Sequence, residues 1–375
     1  MGIKNLMKII NDKAPDSVKS KQLKSLNGYT LACDASLSIY QNLVSTISAR
    51  HAGVHELKDD EGNLTGHLIG LFNRTLMLLE NGIRPVWVFD GKPPDLKSLE
   101  LDKRKQSKEF AEEQKKEALE EGNAELAKKM AGRSVRITKK MIEDAKTMLI
   151  YMGCPIVEAP CEAEAQCSEL VKAGKAFATC TEDMDALTFG SKNLIRNVNS
   201  KGEPIIQINL KEMLDAFEMT MEEFIDLCIL CGCDYTQSIK GIGPSTAFKM
   251  MKNHGSIEKI LETIKTDSKL RKKHHIPDPF LYEEARELFK NHDVRKAEEI
   301  KFKWQPVNEK ALFEFLVHEK KFLDKRVEEG IKKIKRHKDK PNQTRLDGFF
   351  KKPTAPKPEA KKVSPKEKVQ KKGIS

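Results

Sequence analysis

Long apolar runs are the plainest thing missing from this 375-residue sequence. No stretch approaches the ~18 consecutive apolar residues that a membrane-spanning helix needs. The opening Met1-Gly-Ile-Lys-Asn-Leu6 has no apolar h-region of the secretory kind. We therefore expect the eight cysteines (33, 154, 161, 167, 180, 228, 231 and 233) to be reduced thiols. No second Cys pair and no His pair stands at zinc-finger spacing from Cys228-x-x-Cys231-x-Cys233, so that cluster reads as thiols buried on an apolar helix. No internal repeat of fixed period appears. Positive charge is also missing where it first seems abundant. The net charge is +11, but residues 331–375 hold 16 Lys+Arg against 4 Asp+Glu, and the rest of the chain holds 51 against 52. The body is near neutral, so it can meet a polyanion only through basic patches segregated from its acids.

What is present alternates in character. Gly28-Tyr-Thr-Leu-Ala-Cys-Asp34 and Arg84-Pro-Val-Trp-Val-Phe-Asp90 are apolar runs that stop on an acid, with an apolar helix read over 68–79 between them. Residues 154–158 and 175–180 read as short buried strands around a helix at 162–173. Alternating strands and helices predict an α/β fold with a central, mainly parallel twisted sheet flanked by helices. Residues 96–150 are dense in charge, with Phe110 the only aromatic between Phe89 and Tyr151, and read as long exposed helix broken near Gly122 and Gly132. From 221 to about 335 the pattern is helical. Beyond 337 the chain is rich in Lys and Pro and reads as a disordered tail.

Four sets of acids follow the predicted strands: Asp34, Asp90, Glu162 with Glu164, and Asp183 with Asp185. A fifth, Asp234, sits in Cys231-Gly-Cys-Asp-Tyr235. In an open α/β sheet the carboxyl ends of the strands form the ligand crevice, so these acids should converge. A helix N-cap accounts for any one of them, but not for four sets at one edge. Clustered carboxylates repel and call for a cation, and hard oxygen ligands favour Mg²⁺ or Mn²⁺. Two such ions suit phosphodiester hydrolysis. Lys97 and Arg104, seven residues apart, fall on one helical face and could meet a phosphate near the acids, although a solvated charged helix reads as well. Residues 128–140 hold six basic residues and no acid, with Lys129, Arg133, Arg136 and Lys140 near one helical stripe. Ser238-Ile-Lys-Gly-Ile-Gly-Pro244 lies between amphipathic stretches at 221–231 and 244–252, and suits a helix-hairpin-helix turn whose N–H groups at Gly241 and Gly243 meet phosphate. In the tail, Gln343-Thr-Arg-Leu-Asp-Gly-Phe-Phe350 is an apolar island of docking-peptide type.

Together these motifs resemble the eukaryotic flap endonucleases of the structure-specific 5′ nuclease family, from Met1 to about Phe350. The most specific pieces are Cys33-Asp34-Ala-Ser-Leu-Ser-Ile-Tyr40, Val88-Phe-Asp90-Gly-Lys-Pro-Pro94, Glu162-Ala-Glu164-Ala, Thr181-Glu-Asp183-Met-Asp185 and Gly232-Cys-Asp234-Tyr. The resemblance implies an Mg-dependent phosphodiesterase that removes 5′ flaps from branched duplex DNA and also acts as a 5′→3′ exonuclease, in Okazaki fragment maturation and long-patch base excision repair. It implies that the seven acids ligate two Mg²⁺, with Mn²⁺ able to substitute, and that Lys97 and Arg104 face the scissile phosphate. Tyr40, Arg50, Arg74, Glu162, Gly232, Asp234, Gly241 and Gly243 would contact DNA, Arg50 being the equivalent of a loop arginine in a loop that is longer here. Gly2 would sit near bent DNA. Ser238, Ile239 and Ile242 would hold a K⁺ ion at the hairpin, and Gln343, Leu346, Phe349 and Phe350 would bind the sliding clamp. The implied plan is a nuclease region at 1–110, a helical gateway and cap at 111–145, an internal nuclease region at 146–262, a helical part at 263–336 and a tail at 337–375. A monomer, nuclear location (nucleoplasm and nucleolus) and a mitochondrial pool complete the expectations. Two departures stand out. Ser245 and Thr246 follow the hairpin where the family carries basic residues, which leaves Lys249 and Lys252 to compensate, and Cys161 replaces a Ser. A resection-type exonuclease, a repair-incision endonuclease and a clamp-binding scaffold with a structural ion remain the alternatives.

Overall fold

A computed structural model of the chain describes residues 2–50, 59, 61–62, 64–199 and 202–338, with the side chains at 48–50 and 337–338 outside the description. The Arg50 side chain and the tail segment 343–350, expected to dock on a sliding clamp, therefore lie outside the described residues. Among the described residues the sheet has seven strands: β1 (Val18–Lys21), β2 (Thr30–Asp34), β3 (Arg84–Phe89), β4 (Ile156–Glu158), β5 (Ala178–Cys180), β6 (Asn193–Arg196) and β7 (Ile205–Asn209). Their order is β1-β7-β6-β5-β2-β3-β4. The five from β6 to β4 are parallel, while β7 runs antiparallel to both β6 and β1. The four expected strands and the mainly parallel sheet are thus present, with an antiparallel edge added.

Strand alternation explains the layering. Leu31, Cys33, Trp87 and Phe89 point into one apolar layer with Leu68, Phe72 and Met148 from the helices Gly66–Glu80 and Lys139–Tyr151. Ala32, Val86, Val88 and Val157 point to the other face, against the helix Ala163–Lys172. Parallel strands buried on both faces read as unbroken apolar runs, which is why β2 and β3 were visible in the sequence. A further apolar layer joins the N-terminal helix Leu6–Lys13 to the helices at 221–231, 244–254 and 257–266. Cys228, Cys231 and Cys233 are buried there, as the apolar reading of that helix expected.

The chain moves from β2 outward to β3 and β4, then returns to place β5 on the far side of β2. The strand order reverses between β2 and β5, and the crevice outside that switch point is where open α/β sheets bind ligands. The helix Ser98–Glu120 brings Leu101 and Arg104 to that crevice, and the helix Ala124–Arg133 follows it after a turn at Gly122 with φ +69°. The second expected break falls just beyond Gly132, at Ser134. This corrects the stripe at 128–140. The helix stops at Arg133, residues 135–138 form no helix, and Thr138 caps a new one by accepting from the Met141 N–H at 3.2 Å. Lys129 and Arg133 therefore share no helical face with Arg136 and Lys140. The β-branched Val135, Ile137 and Thr138 disfavour helix, and Val135 is buried.

Candidate active site

Each acid is positioned by the element that precedes it. Asp34 ends β2 and is 1% exposed. Its Oδ1 accepts from the Leu37 N–H at 2.9 Å and its Oδ2 from the Thr181 hydroxyl at 2.9 Å. Asp90 follows β3, and its Oδ1 accepts from the Ala163 N–H at 2.8 Å, which ties it to the first turn of the helix that carries Glu164. Glu162 is the N-cap residue of that helix without capping it. Its carboxylate instead meets the Lys97 ammonium and the Tyr235 hydroxyl. Asp183 and Asp185 follow β5, and the Asp185 N–H donates to Asp183 Oδ1 at 3.0 Å. Asp234 lies three residues past the helix Met221–Cys231, which ends at Gly232 with φ +108°.

The cations come from one short stretch. Lys97 closes a single turn after Pro93-Pro94, and Arg104 lies two turns along the helix Ser98–Glu120. Both reach Asp234 Oδ2, Lys97 Nζ at 3.3 Å and Arg104 Nη2 at 2.6 Å. Lys97 thus stands just before the helix that carries Arg104 rather than on it, yet both cations are brought to the same acid. Asp34, Asp90, Glu164, Asp183, Lys97 and Tyr40 line one cleft of about 290 Å³. Of the other residues singled out, Arg74 donates to the Ser38 hydroxyl at 2.8 Å, on the helix that carries Tyr40. Lys108 lies 5.9 Å over the Tyr40 ring.

Burial and mutual repulsion set the electrostatics of the acids. Burial, then the charge of Asp90, raises the Asp34 carboxyl to about 7. Burial likewise pushes Glu164, Asp183 and Asp185 up, with neighbouring carboxylates adding to Glu164 and Asp185. Burial alone would lower the Lys97 ammonium, but Glu162 and Asp234 outweigh it and hold it well above the usual lysine range. Asp185 Oδ1 is buried without a hydrogen-bond partner, and an orphaned buried carboxylate oxygen costs several kcal/mol unless something compensates it. Among the described residues no three of the acids stand close enough around one point to hold an ion as they are placed; Glu162 pairs with Lys97, and Asp234 with Lys97 and Arg104. The donor set is all oxygen and strongly anionic, so it fits hard divalent cations.

Some members were not read from the sequence. Thr181 and Tyr235 orient Asp34 and Glu162, and both stand inside quoted motifs without an assigned part. Gly2 packs against the acids, since a Cβ there would come within 1.9 Å of Asp183 Oδ1 and 2.2 Å of Asp185 Oδ1. The N-terminus is held by the Lys4 N–H, which donates to the Gly232 carbonyl at 3.1 Å. At the hairpin, Ile239 and Ile242 are buried and Gly241 has φ +86°, with Ser238 beside Gly232.

Comparisons with known proteins bear on this arrangement. Residues 1–111 match the XPG N-terminal domain and residues 153–234 the XPG I-region. The chain is 49% identical over 360 residues to flap endonuclease 1-1 of Paramecium tetraurelia, covering 94% of this chain and 92% of that one. It is 49% identical over 354 residues to flap endonuclease 1 of Nematostella vectensis, with coverage of 94% and 92%. Among solved structures, the flap endonuclease-1 from Methanococcus jannaschii aligns with a TM-score of 0.66 at 31% identity, over 88% of this chain and 98% of that one. The catalytic core of Rad2 in complex with DNA substrate aligns with a TM-score of 0.68 over 89% and 100%, and at 24% identity it bears on the fold alone.

Proposed function

This chain belongs to the flap endonuclease family, and from that premise we propose that its seven acids hold two Mg²⁺ ions while it cuts 5′ flaps. It is a metal-dependent nuclease, a phosphodiester hydrolase specific for the 5′ flap of branched duplex DNA, of the kind used in DNA replication and repair. The observation that carries the metal assignment is the convergence of acids at the sheet's switch point, with Asp185 Oδ1 buried and unpartnered. Asp34, Asp90, Glu162, Glu164, Asp183, Asp185 and Asp234 would hold the ions. When bound, such ions supply Lewis acidity and a lowered water pKa to an in-line displacement.

The chain's own groups do the rest. Lys97, which meets Glu162 and Asp234, and Arg104, which meets Asp234, would face the scissile phosphate and stabilise its developing charge. Thr181 and Tyr235 keep Asp34 and Glu162 oriented. Tyr40 would supply a stacking face beside the cut, Arg50, Arg74 and the backbone at Gly241 and Gly243 would hold phosphates, and Gly232 would make a DNA contact near the acids. The hairpin at Ser238, Ile239 and Ile242 would take a K⁺ ion. We further propose a monomer that docks on the sliding clamp through Gln343, Leu346, Phe349 and Phe350, and that works in the nucleus (nucleoplasm and nucleolus), with a mitochondrial pool. No helix among the described residues is long and apolar enough to cross a membrane.

Cleavage of a 5′-flap substrate, run beside blunt and gapped duplexes across an Mg²⁺ titration, tests the reading. Cutting near the flap base that rises with Mg²⁺ supports it. Equal cutting of blunt duplex, or none at any Mg²⁺ concentration, overturns it.

A further inference from the structure

The hairpin poses a problem of charge. The helix that follows it, Pro244–His254, begins with the uncharged Ser245 and Thr246. Lys252 is already engaged, donating to the Phe217 carbonyl at 3.1 Å and to Glu218 at 2.7 Å. Of that helix's lysines, only Lys249 stands exposed without an ion pair among the described residues.

A different segment brings charge to the turn. The short helix Ser268–Lys273 is capped by Asp267, whose Oδ1 accepts the Lys269 and Leu270 N–H groups at 2.7 and 3.1 Å. Just past it, Lys240 and His275 exchange two backbone hydrogen bonds, each of 3.1 Å, and so staple this segment to the hairpin. The approach is close. A Cβ at Gly241 would come within 2.5 Å of the Lys273 carbonyl oxygen, so only glycine fits there.

Lys240, Lys265, Lys269, Arg271, Lys272 and Lys273 are all exposed, and none forms an ion pair among the described residues. Some exposed lysines elsewhere pair with acids, as Lys19 does with Glu212, Lys211 with Asp215 and Lys290 with Glu222, and others such as Lys301 and Lys303 do not among the described residues; what sets this segment apart is that its cations are clustered and fixed beside the hairpin. The one acid within 265–275 is Asp267, which is spent on the cap. Lys265, Arg271 and His275 also rim a concavity of about 340 Å³ floored by Ile264 and Ile276. Six uncompensated cations fixed beside a turn repel one another, and a polyanion relieves that repulsion. Lys269, Lys272 and Lys273 recur at helical spacing on one face, which suits a backbone of repeating phosphates.

We propose that the segment Lys269–His275, stapled to the hairpin, is a phosphate-gripping surface for duplex DNA that replaces the charge missing at Ser245 and Thr246. The proposal rests on the flap-nuclease reading, since it takes the hairpin to lie on a duplex arm.

The test is equilibrium binding of the full chain to a labelled 5′-flap DNA with two duplex arms, in chelator and across a range of NaCl. The triple variant Lys269→Gln, Lys272→Gln, Lys273→Gln should bind at least about tenfold more weakly near 0.1 M salt. Its slope of log K against log salt should be shallower by about 2–3 units, at ~0.9 for each phosphate no longer neutralised. A control with the same charge change, Lys301→Gln, Lys303→Gln, Lys310→Gln, should shift the slope by less than about one unit. That control lies near the opposite end of the sheet, where the Trp304 indole N–H donates to the Pro85 carbonyl at 3.0 Å. The deficit should disappear when one particular duplex arm is cut to a few base pairs, and persist when the other is cut. An unchanged slope in the hairpin-side variant, or polyglutamate competing as well as duplex DNA, would overturn this proposal alone. Failure of the unsubstituted chain to bind any branched duplex would overturn the functional reading together with it.

Discussion

Lys97→Ala separates two jobs that one ammonium performs. Its Nζ is bonded to Glu162 and lies 3.3 Å from Asp234 Oδ2, with the side chain 16% exposed. At an effective dielectric near 20, the Asp234 attraction alone is about 5 kcal/mol before desolvation. Removing one partner of a largely buried pair leaves the other charge uncompensated, and such losses run near 3 kcal/mol. For the roughly 325 described residues, at about 2.1 cal/mol/K each, that lowers Tm by about 3–5 °C in chelator. Saturating Mg²⁺ should close most of this gap, because cations then neutralise the same carboxylates. Activity should not recover with it, because the phosphate loses its donor. The expected deficit in single-turnover flap cleavage is about 10²–10³-fold even in saturating Mg²⁺. Differential scanning fluorimetry with and without Mg²⁺, beside quench-flow cleavage, reads both effects. A Tm gap that Mg²⁺ leaves unchanged, or cleavage within a few-fold of the unsubstituted chain, would refute the reasoning.

Two further outcomes follow from groups away from the cleft. Arg286 grips Asp226 through two bonds of 2.7 and 2.8 Å, locking the helix Tyr282–Lys290 to the helix Met221–Cys231. Asp226→Ala should therefore cost about 3 kcal/mol in urea unfolding, and adding Arg286→Met should restore more than half of it; equal stability of the single and double variants would count against that. Burial lowers the His67 imidazole from the usual 6.5 to about 4. Its folded value lies below its unfolded one, so its contribution is full above pH 6.5 and is lost as pH falls toward 4, by about 3 kcal/mol. The urea midpoint should drop less between pH 7 and 4.5 in His67→Leu than in the unsubstituted chain, and parallel drops would rule this group out.

The acids were legible because they end the most regular pattern in the chain. Strands buried on both faces run apolar without a break, and Asp34 and Asp90 interrupt those runs abruptly. The antiparallel edge was not read. β1 is Val-Lys-Ser-Lys, half exposed and polar, and carries almost no periodic signal. β6 and β7 did leave one, since Asn193-Leu-Ile-Arg196 and Ile205-Ile-Gln-Ile-Asn209 flank a stretch rich in Asn, Ser, Gly and Pro, which is a hairpin signature. The basic stripe at 128–140 failed because helical spacing was assumed to continue through β-branched residues that end the helix. The hairpin was recognisable from its glycines. The basic segment beside it was not, because the pairing of Lys240 with His275 spans 35 residues and no local pattern announces it.

The central claim is that these carboxylates serve cleavage by holding divalent cations, and Asp185→Asn tests it most directly. The substitution keeps the shape and removes one buried negative charge from a crowded site. Measured side by side on one 5′-flap substrate in Mg²⁺, cleavage should fall by about 10³-fold or more. DNA affinity should stay within a few-fold, and Tm in chelator should not drop. Full cleavage by that variant in Mg²⁺ would contradict the account.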